Sequence, residues 1–236
     1  MPVIYACILP DGAVATRTAD AIAQIATEVA EQRPDLAVVI RAGTGAGMAI
    51  AGNADEPLLE AAAASDVPTT TNAPAVSPLP EVIEEAIAGV PRVSIATSRL
   101  ALKEQFEFGR ALGRALAEDE RRTAIIAIAT LSRALDKLSR SFDPAGRLFD
   151  EQYRRAFDEW NVRWLVNLDS RFRTAAREEA AAQTAVLMGA LSERRIQPRA
   201  LTYEQTSGVG HFAGVVDVLG ARRKAAARVA GASGKE

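Results

Sequence analysis

The chain has very few side chains of the types that usually bind a redox metal. It contains one histidine, His211, and one cysteine, Cys7, in 236 residues. An open Fe(II) site typically needs two histidines and a carboxylate, so this chain cannot build one by itself. Paired-cysteine redox chemistry and cysteine-rich zinc sites are excluded by the same count, and a Ser-His-Asp hydrolase would have to be built around His211.

Carboxylates and the single imidazole provide the local candidates for a site. Asp11 follows the first predicted strand in Pro10-Asp11-Gly12, although turn formation alone also explains an Asp-Gly pair. Glu178 and Glu179 are adjacent on a predicted helix, so their side chains point in different directions and one is expected to be solvated. His211 enters the last predicted strand, where a hydrogen-bonded structural role is favoured over a catalytic one.

A glycine cluster, Gly43, Gly45 and Gly47, follows a buried strand. Doubly wound folds bind ligands at this kind of position, and glycine lets backbone N–H groups approach an anion. The dinucleotide fingerprint, however, has its third glycine three residues after the second and opens a helix, whereas here strand-like residues follow. A tight turn at a sheet edge is therefore favoured over nucleotide binding.

Composition and charge indicate a globular protein with no polyanionic partner. Apolar residues make up 48%, charged residues 25%, and the net charge is -2, which disfavours nucleic acid binding. The sequence has no apolar stretch long enough to span a membrane and no signal peptide at its start. One unpaired cysteine in a predicted strand fits a reducing compartment, so we expect a cytoplasmic protein without a membrane partner.

The hydrophobic pattern predicts a single α/β domain over residues 1–220, with a frayed basic tail at 221–236. Short β-branched runs alternate with amphipathic helices in the first half, which favours a mostly parallel or mixed central sheet flanked by helices. The later part is predicted to be helical until two last strands. The predicted strands cover 3–9, 36–40, 92–97, 123–131, 199–205 and 212–219, and the predicted helices cover 20–32, 57–64, 81–88, 100–118 and most of 143–191.

These segments together resemble the class III extradiol ring-cleavage dioxygenases, the LigB-like superfamily that also includes Memo-like proteins. The resemblance covers nearly the whole chain. Members have histidines after the first, second and a later strand, and a carboxylate ligand early on a late helix, before a Leu-Gly-Ala-like stretch. Here the sequences at these places are Leu9-Pro10-Asp11-Gly12, Ile40-Arg41-Ala42-Gly43, Thr130-Leu131-Ser132-Arg133 and Glu178-Glu179 before Leu187-Met188-Gly189-Ala190-Leu191.

The resemblance implies that all three histidine positions are replaced, by Asp11, Gly43 and Arg133. Glu178 or Glu179 would be the only remaining ligand. We therefore expect no metal and no other cofactor in this chain, and Fe(II) on a catalytic partner subunit. We also expect Asp11 and Arg133 to form an ion pair that closes the former iron pocket, because an unpaired buried charge is costly.

The leading functional hypothesis is a non-catalytic, iron-free subunit of a heteromeric ring-cleaving dioxygenase, paired with a homologous subunit. The aromatic residues from Phe149 to Trp164 are expected in the core or at a subunit interface rather than at a cofactor, and this helical part is a candidate docking surface. The alternative is a metal-independent enzyme or binding protein that uses Asp11, Arg133, Glu179 and His211 toward a carboxylated or small aromatic ligand. A self-associating structural protein or small-molecule sensor is the third possibility.

Overall fold

The computed structural model describes residues 3–12, 14–52, 67–70 and 79–219. Within these residues eight strands form one mixed sheet, and seven helices flank it. The strands are β1 (Val3–Leu9), β2 (Leu36–Gly45), β3 (Met48–Gly52), β4 (Thr69–Thr70), β5 (Arg92–Ser98), β6 (Thr123–Ile128), β7 (Ile196–Thr206) and β8 (Val209–Val218). The helices are α1 (Thr16–Gln32), α2 (Glu81–Ala86), α3 (Leu102–Glu118), α4 (Pro144–Asp158), α5 (Val162–Val166), α6 (Ser170–Ala176) and α7 (Ala181–Ala190). The predicted single α/β domain with a mixed sheet is confirmed.

The sheet order is β4-β3-β5-β2-β6-β1-β8-β7. The four central strands, β5, β2, β6 and β1, run parallel, while β8 and β3 add antiparallel strands on the two sides. The central strands are continuous apolar runs because helices cover both of their faces; every residue of β1 and β6 is buried. The carboxyl ends of β1, β2, β5 and β6 therefore meet at one edge of the sheet, where ligands bind in open α/β sheets.

The sixth strand is shorter than the pattern predicted, and this difference shapes the edge. The apolar run to Leu131 was expected to be one strand, but β6 ends at Ile128. The chain then passes over the end of β1 and bonds to the start of β8: the Leu131 amide donates to the Gly210 carbonyl at 3.1 Å, and the Gly210 amide donates to the Ser132 carbonyl at 2.9 Å. This crossing segment, residues 129–135, includes Arg133 and begins next to Leu9, the last residue of β1.

The aromatic stripe of α4 lies in the core. Phe149, Tyr153 and Phe157 are at most 1% exposed. The Phe149 ring contacts the Tyr153 ring, and the Tyr153 and Phe157 rings each meet Phe212 of β8 edge-on. The docking-surface interpretation is therefore wrong for these three side chains, because the helix turns them toward the sheet. Trp160 and Trp164 are half-buried against the same core.

Other expectations fall partly outside the described residues. The predicted helix at 57–64 and the tail at 221–236 lie outside them. Residues 66–80 are rich in Thr, Asn and Pro, which predicts a loop. They are described only at 67–70 and 79–80, and there they include the two-residue strand β4. No helix within the described ranges has the length and apolar character needed to cross a bilayer.

Candidate functional site at the carboxyl edge of the sheet

The three positions at which the family resemblance places histidines lie at or beyond the carboxyl ends of neighbouring strands. Asp11 comes after β1, Gly43 lies in the last part of β2, and Arg133 lies in the crossing segment after β6. Since β2, β6 and β1 are adjacent, all three positions lie at the same edge of the sheet. Asp11 is exposed, whereas Arg133 is half-buried.

Gly43 has a packing role. A Cβ atom at this position would lie 2.1 Å from the carbonyl oxygen of Thr97 in β5, so no larger residue fits without a shift of backbone. Only Ala46 and Gly47 separate the end of β2 from the start of β3. The turn that the sequence favoured is thus confirmed, and no helix begins there to form a dinucleotide-binding loop.

Arg133 does not pair with Asp11, so the expected Asp11–Arg133 ion pair is wrong. Arg133 instead forms an ion pair with Glu179, at 3.0 Å from Nε and 2.9 Å from Nη2 to Oε2. The crossing segment is bonded to the turn that precedes α7, because the Glu179 amide donates to the Thr130 carbonyl at 3.2 Å. Backbone pairing therefore brings Arg133 to Glu179.

The sequence reasoning missed Arg41, the last fully buried position of β2. Its side chain is 7% exposed, and its Nε and Nη1 atoms have no hydrogen-bond partner. Burial lowers the pKa of Arg41, and the charges of Asp11 and Glu84 oppose this effect. The signal in the sequence was a charged residue directly after the apolar run Leu36–Ile40. Asp11 therefore acts electrostatically on Arg41.

Glu178 and Glu179 point in different directions, as predicted, but the helix expected at these residues is wrong: they lie in the turn between α6 and α7. The Glu178 side chain is fully buried: one carboxylate oxygen pairs with Arg173, and the other accepts the Ala180 and Ala181 amides at 2.8 and 2.7 Å. These amides belong to the first turn of α7, whose N-cap residue, Ala180, has no capping side chain. Glu179 is the solvated one, with its side chain 47% exposed.

His211 is a buried residue of β8, 4% exposed, and its Nδ1 atom has no hydrogen-bond partner. Burial lowers its pKa, and the nearby positive charge of Arg133 lowers it further, so the imidazole is neutral at pH 7. Across the β7–β8 ladder it faces Glu204, whose carboxylate accepts the Thr18 amide of α1 at 2.8 Å. The hydrogen bond expected for His211 is therefore absent at its Nδ1 atom.

A cleft of about 430 Å³ lies beside the end of β6. Arg133 and Glu179 line it, together with residues of α6 and of the turn between α6 and α7; the other lining residues are Ser170, Arg173, Thr174, Arg177 and Glu178. Two of the four predicted pocket residues, Arg133 and Glu179, therefore share one cleft. Asp11 and His211 are not among the lining residues.

Asp150 of α4 is a buried carboxyl group that sequence reasoning did not single out. It is 1% exposed, accepts the Ser132 amide at 3.0 Å, and accepts the Tyr203 hydroxyl at 2.8 Å. Burial raises its pKa from 3.8 to about 6, although these hydrogen bonds act in the opposite direction. The available signal was an acidic residue three positions before Tyr153, on the apolar face of an amphipathic helix. Asp150 connects α4 and β7 to the crossing segment that carries Arg133.

The side chains at this edge do not fit Fe(II). The positions of the family's ligands offer no imidazole, and both oxygens of Glu178 are already engaged. Among the described residues, no three His, Cys, Asp or Glu side chains converge in a way that could hold a metal ion. We therefore derive no reaction step that depends on iron in this chain.

A family match assigns the chain to the aromatic ring-opening dioxygenases. Residues 75–215 match the family described as "Catalytic LigB subunit of aromatic ring-opening dioxygenase". Because this match spans more than half of the sequence, the chain belongs to that family.

Structural comparison shows the same fold in another protein. An uncharacterized protein from Escherichia coli K12, known from a crystal structure, superposes with a TM-score of 0.65 at 16% sequence identity; the match covers 91% of this chain and 99% of that one. At this identity the likeness concerns the fold alone. No curated protein matches the sequence significantly.

Proposed function

We propose that this chain is a non-catalytic, iron-free member of the LigB family that assembles with a homologous, iron-bearing subunit of an aromatic ring-opening dioxygenase. One observation carries the proposal: Glu178, a candidate for the family's carboxylate ligand, is buried and bonded to Arg173 and to two α7 amides. A chain with this arrangement keeps the family fold while its ligand positions lack imidazole donors.

The energetics of Glu178 support this proposal. For Glu178 to bind a metal it would have to leave Arg173 and the two amides of α7, and breaking a buried pair typically costs about 3–5 kcal/mol. Asp11, Gly43 and Arg133 stand where the family resemblance places histidines, so no bond from an imidazole to the metal would offset this loss. The same arrangement stabilises the turn before α7 in the absence of metal. A subunit with a structural role and no metal accounts both for the bonded state of Glu178 and for the missing imidazoles.

The test is to purify the chain alone and after co-expression with any homologous LigB-family subunit that a neighbouring gene encodes. Iron is measured by elemental analysis, and ring opening by absorbance with a catechol and an aminophenol. We expect neither bound iron nor turnover in the isolated chain, and both in a co-purified complex. Stoichiometric iron with turnover in the isolated chain would overturn the proposal, and so would failure of the neighbouring subunit to co-purify. Light scattering on the isolated chain separates an orphan subunit from a homo-oligomer.

A second candidate function is the binding or metal-independent conversion of a small carboxylated molecule. The cleft beside Arg133, with its three arginines, favours this candidate, because guanidinium groups bind carboxylates through paired hydrogen bonds. Its general test is thermal unfolding of the isolated chain with a panel of small carboxylates and their neutral analogues. Stabilisation by carboxylates alone supports it, and no stabilisation by any of them refutes it.

A further inference from the structure

The cleft beside Arg133 has more positive than negative charge. Its lining includes three arginines, Arg133, Arg173 and Arg177, and two glutamates, Glu178 and Glu179. If all five are ionised, the cleft carries a net charge of +1 (three positive minus two negative). A site with this balance favours an anion over a cation, which is the reverse of what a metal site needs.

The three arginines differ in how firmly they are paired. Arg173 is firmly held in its ion pair with Glu178, because the Glu178 side chain is fully buried and also accepts hydrogen bonds from the first turn of α7. The Arg133–Glu179 pair is exposed, with side chains 39% and 47% accessible, and such surface pairs contribute little to stability. An incoming anion can therefore replace Glu179 at small cost.

Arg177 is the third arginine, and within the described part of the chain no carboxylate lies at ion-pair distance from it. It ends α6 in the left-handed backbone region, with φ 51° and ψ 44°, and its amide donates to the Arg173 and Thr174 carbonyls. Glycine is the usual residue in this conformation. An exposed arginine here places an uncompensated guanidinium on the wall of the cleft.

We propose that this cleft is a carboxylate-binding site in which a ligand carboxylate displaces Glu179 from Arg133 and is also bound by Arg177. This inference rests on the second candidate function above and names its ligand class and binding groups. The ligand is a small monocarboxylate: the net charge of the cleft balances one negative charge, and about 430 Å³ admits a molecule of the size of benzoate. Glu179 then acts as an internal competitor that occupies Arg133 in the free protein.

The experiment measures benzoate affinity of the isolated, full-length chain by titration calorimetry at low salt, with benzyl alcohol as the neutral probe and inorganic phosphate as a second anion. We expect benzoate to bind, benzyl alcohol not to bind, and the affinity to fall as salt screens the exposed arginines. Arg177→Gln and Arg133→Gln should each weaken benzoate binding by about tenfold or more, since each removes a charge-assisted contact.

Two further variants separate a binding role from a general charge effect. Glu179→Gln should strengthen benzoate binding several-fold, because it removes the competing carboxylate and leaves Arg133 available. Arg171→Gln is the matched control: Arg171 is an exposed arginine of α6 that does not line the cleft, so its variant should bind like the wild type. Thermal unfolding of each variant checks that the chain remains folded.

The outcomes distinguish this inference from the function on which it rests. Benzoate binding that is unaffected by Arg133→Gln and Arg177→Gln would refute this site while leaving carboxylate binding intact. Weaker binding in Glu179→Gln would also refute it, because the proposed competition would have the wrong sign. If phosphate binds and benzoate does not, the site takes a different anion and the carboxylate proposal is wrong.

Discussion

Replacing Asp150 with asparagine should change how the stability of the protein depends on pH. In the folded protein the pKa of Asp150 is raised to about 6 by burial, whereas in the unfolded chain it has its ordinary value of 3.8. Between these two pH values the folded state therefore holds a proton that the unfolded state has released. A native state that binds more protons loses stability as the pH rises.

The size of this effect follows from the difference between the two pKa values. A shift from 3.8 to about 6 corresponds to about 3 kcal/mol of unfolding free energy, which is fully present only below pH 3.8; about 2 kcal/mol of it is lost between pH 4 and pH 7. The asparagine side chain cannot ionise, so the Asp150→Asn variant does not lose this contribution. We expect the stability of the variant relative to wild type to increase by about 2 kcal/mol from pH 4 to pH 7. His211, whose lowered pKa gives the opposite pH dependence, is present in both proteins and cancels in the difference.

The assay is urea unfolding followed by tryptophan fluorescence at several pH values between about 4 and 7.5, the range that spans the two pKa values. Glu151→Gln serves as the matched control, because Glu151 is the neighbouring carboxylate of α4 but pairs with Arg147 at the surface, where its side chain is 56% exposed. This control should follow the wild-type profile. A stability difference between Asp150→Asn and wild type that stays constant with pH would show that burial of Asp150 does not shift its protonation.

Three other substitutions probe the groups around the crossing segment and the turn before α7. Glu178→Ala should lower the unfolding free energy by about 3–5 kcal/mol in urea unfolding, because it leaves Arg173 and two α7 amides without their partner; a loss below about 1 kcal/mol would contradict the buried pair. Gly210→Ala should cost about 1–3 kcal/mol or more, because its Cβ would lie 2.1 Å from Asp150 Oδ2, and an unchanged melting temperature would contradict that contact. Tyr203→Phe should raise the pKa of Asp150 above about 6, as followed by carboxyl NMR titration, since the Tyr203 hydroxyl stabilises the ionised form; a lower pKa would reverse this assignment.

The hydrophobic pattern of the sequence predicted strands and helices well where buried apolar residues recur with a regular spacing. The first strand was predicted at residues 3–9 and forms β1 at Val3–Leu9, and the helix expected at 100–118 is α3 at Leu102–Glu118. Boundaries were less accurate where the chain continues in an extended form beyond a strand. The run to Leu131 reads as one strand because nearly all of its residues are apolar, yet β6 ends at Ile128; beyond it the Ala129 amide donates to the Leu9 carbonyl at the end of β1, and the Leu131 amide donates to the Gly210 carbonyl of β8.

Side-chain partners at the edge of the sheet could not be predicted in the same way. Asp11 and Arg133 follow adjacent strands, so pairing was a reasonable expectation, but the crossing segment is bonded to the Glu179 amide and brings Arg133 to that residue. The burial of Asp150 likewise depends on Tyr203 and Ser132, which are distant in sequence. Such choices depend on distances that no local periodicity encodes.

The sequence alone determined the class of fold, because apolar runs and amphipathic helices alternate in the order that a parallel core requires. It also determined which metal donors are missing, because the number of imidazoles and thiols does not depend on folding. Only the tertiary structure decided that Glu178 is bonded to Arg173 and the first turn of α7, and that Arg133, Arg177 and Glu179 share one cleft. The physical reason is that an ion pair or hydrogen bond forms only when its atoms lie within about 3–4 Å of each other, so it follows from where the folded backbone places each charge.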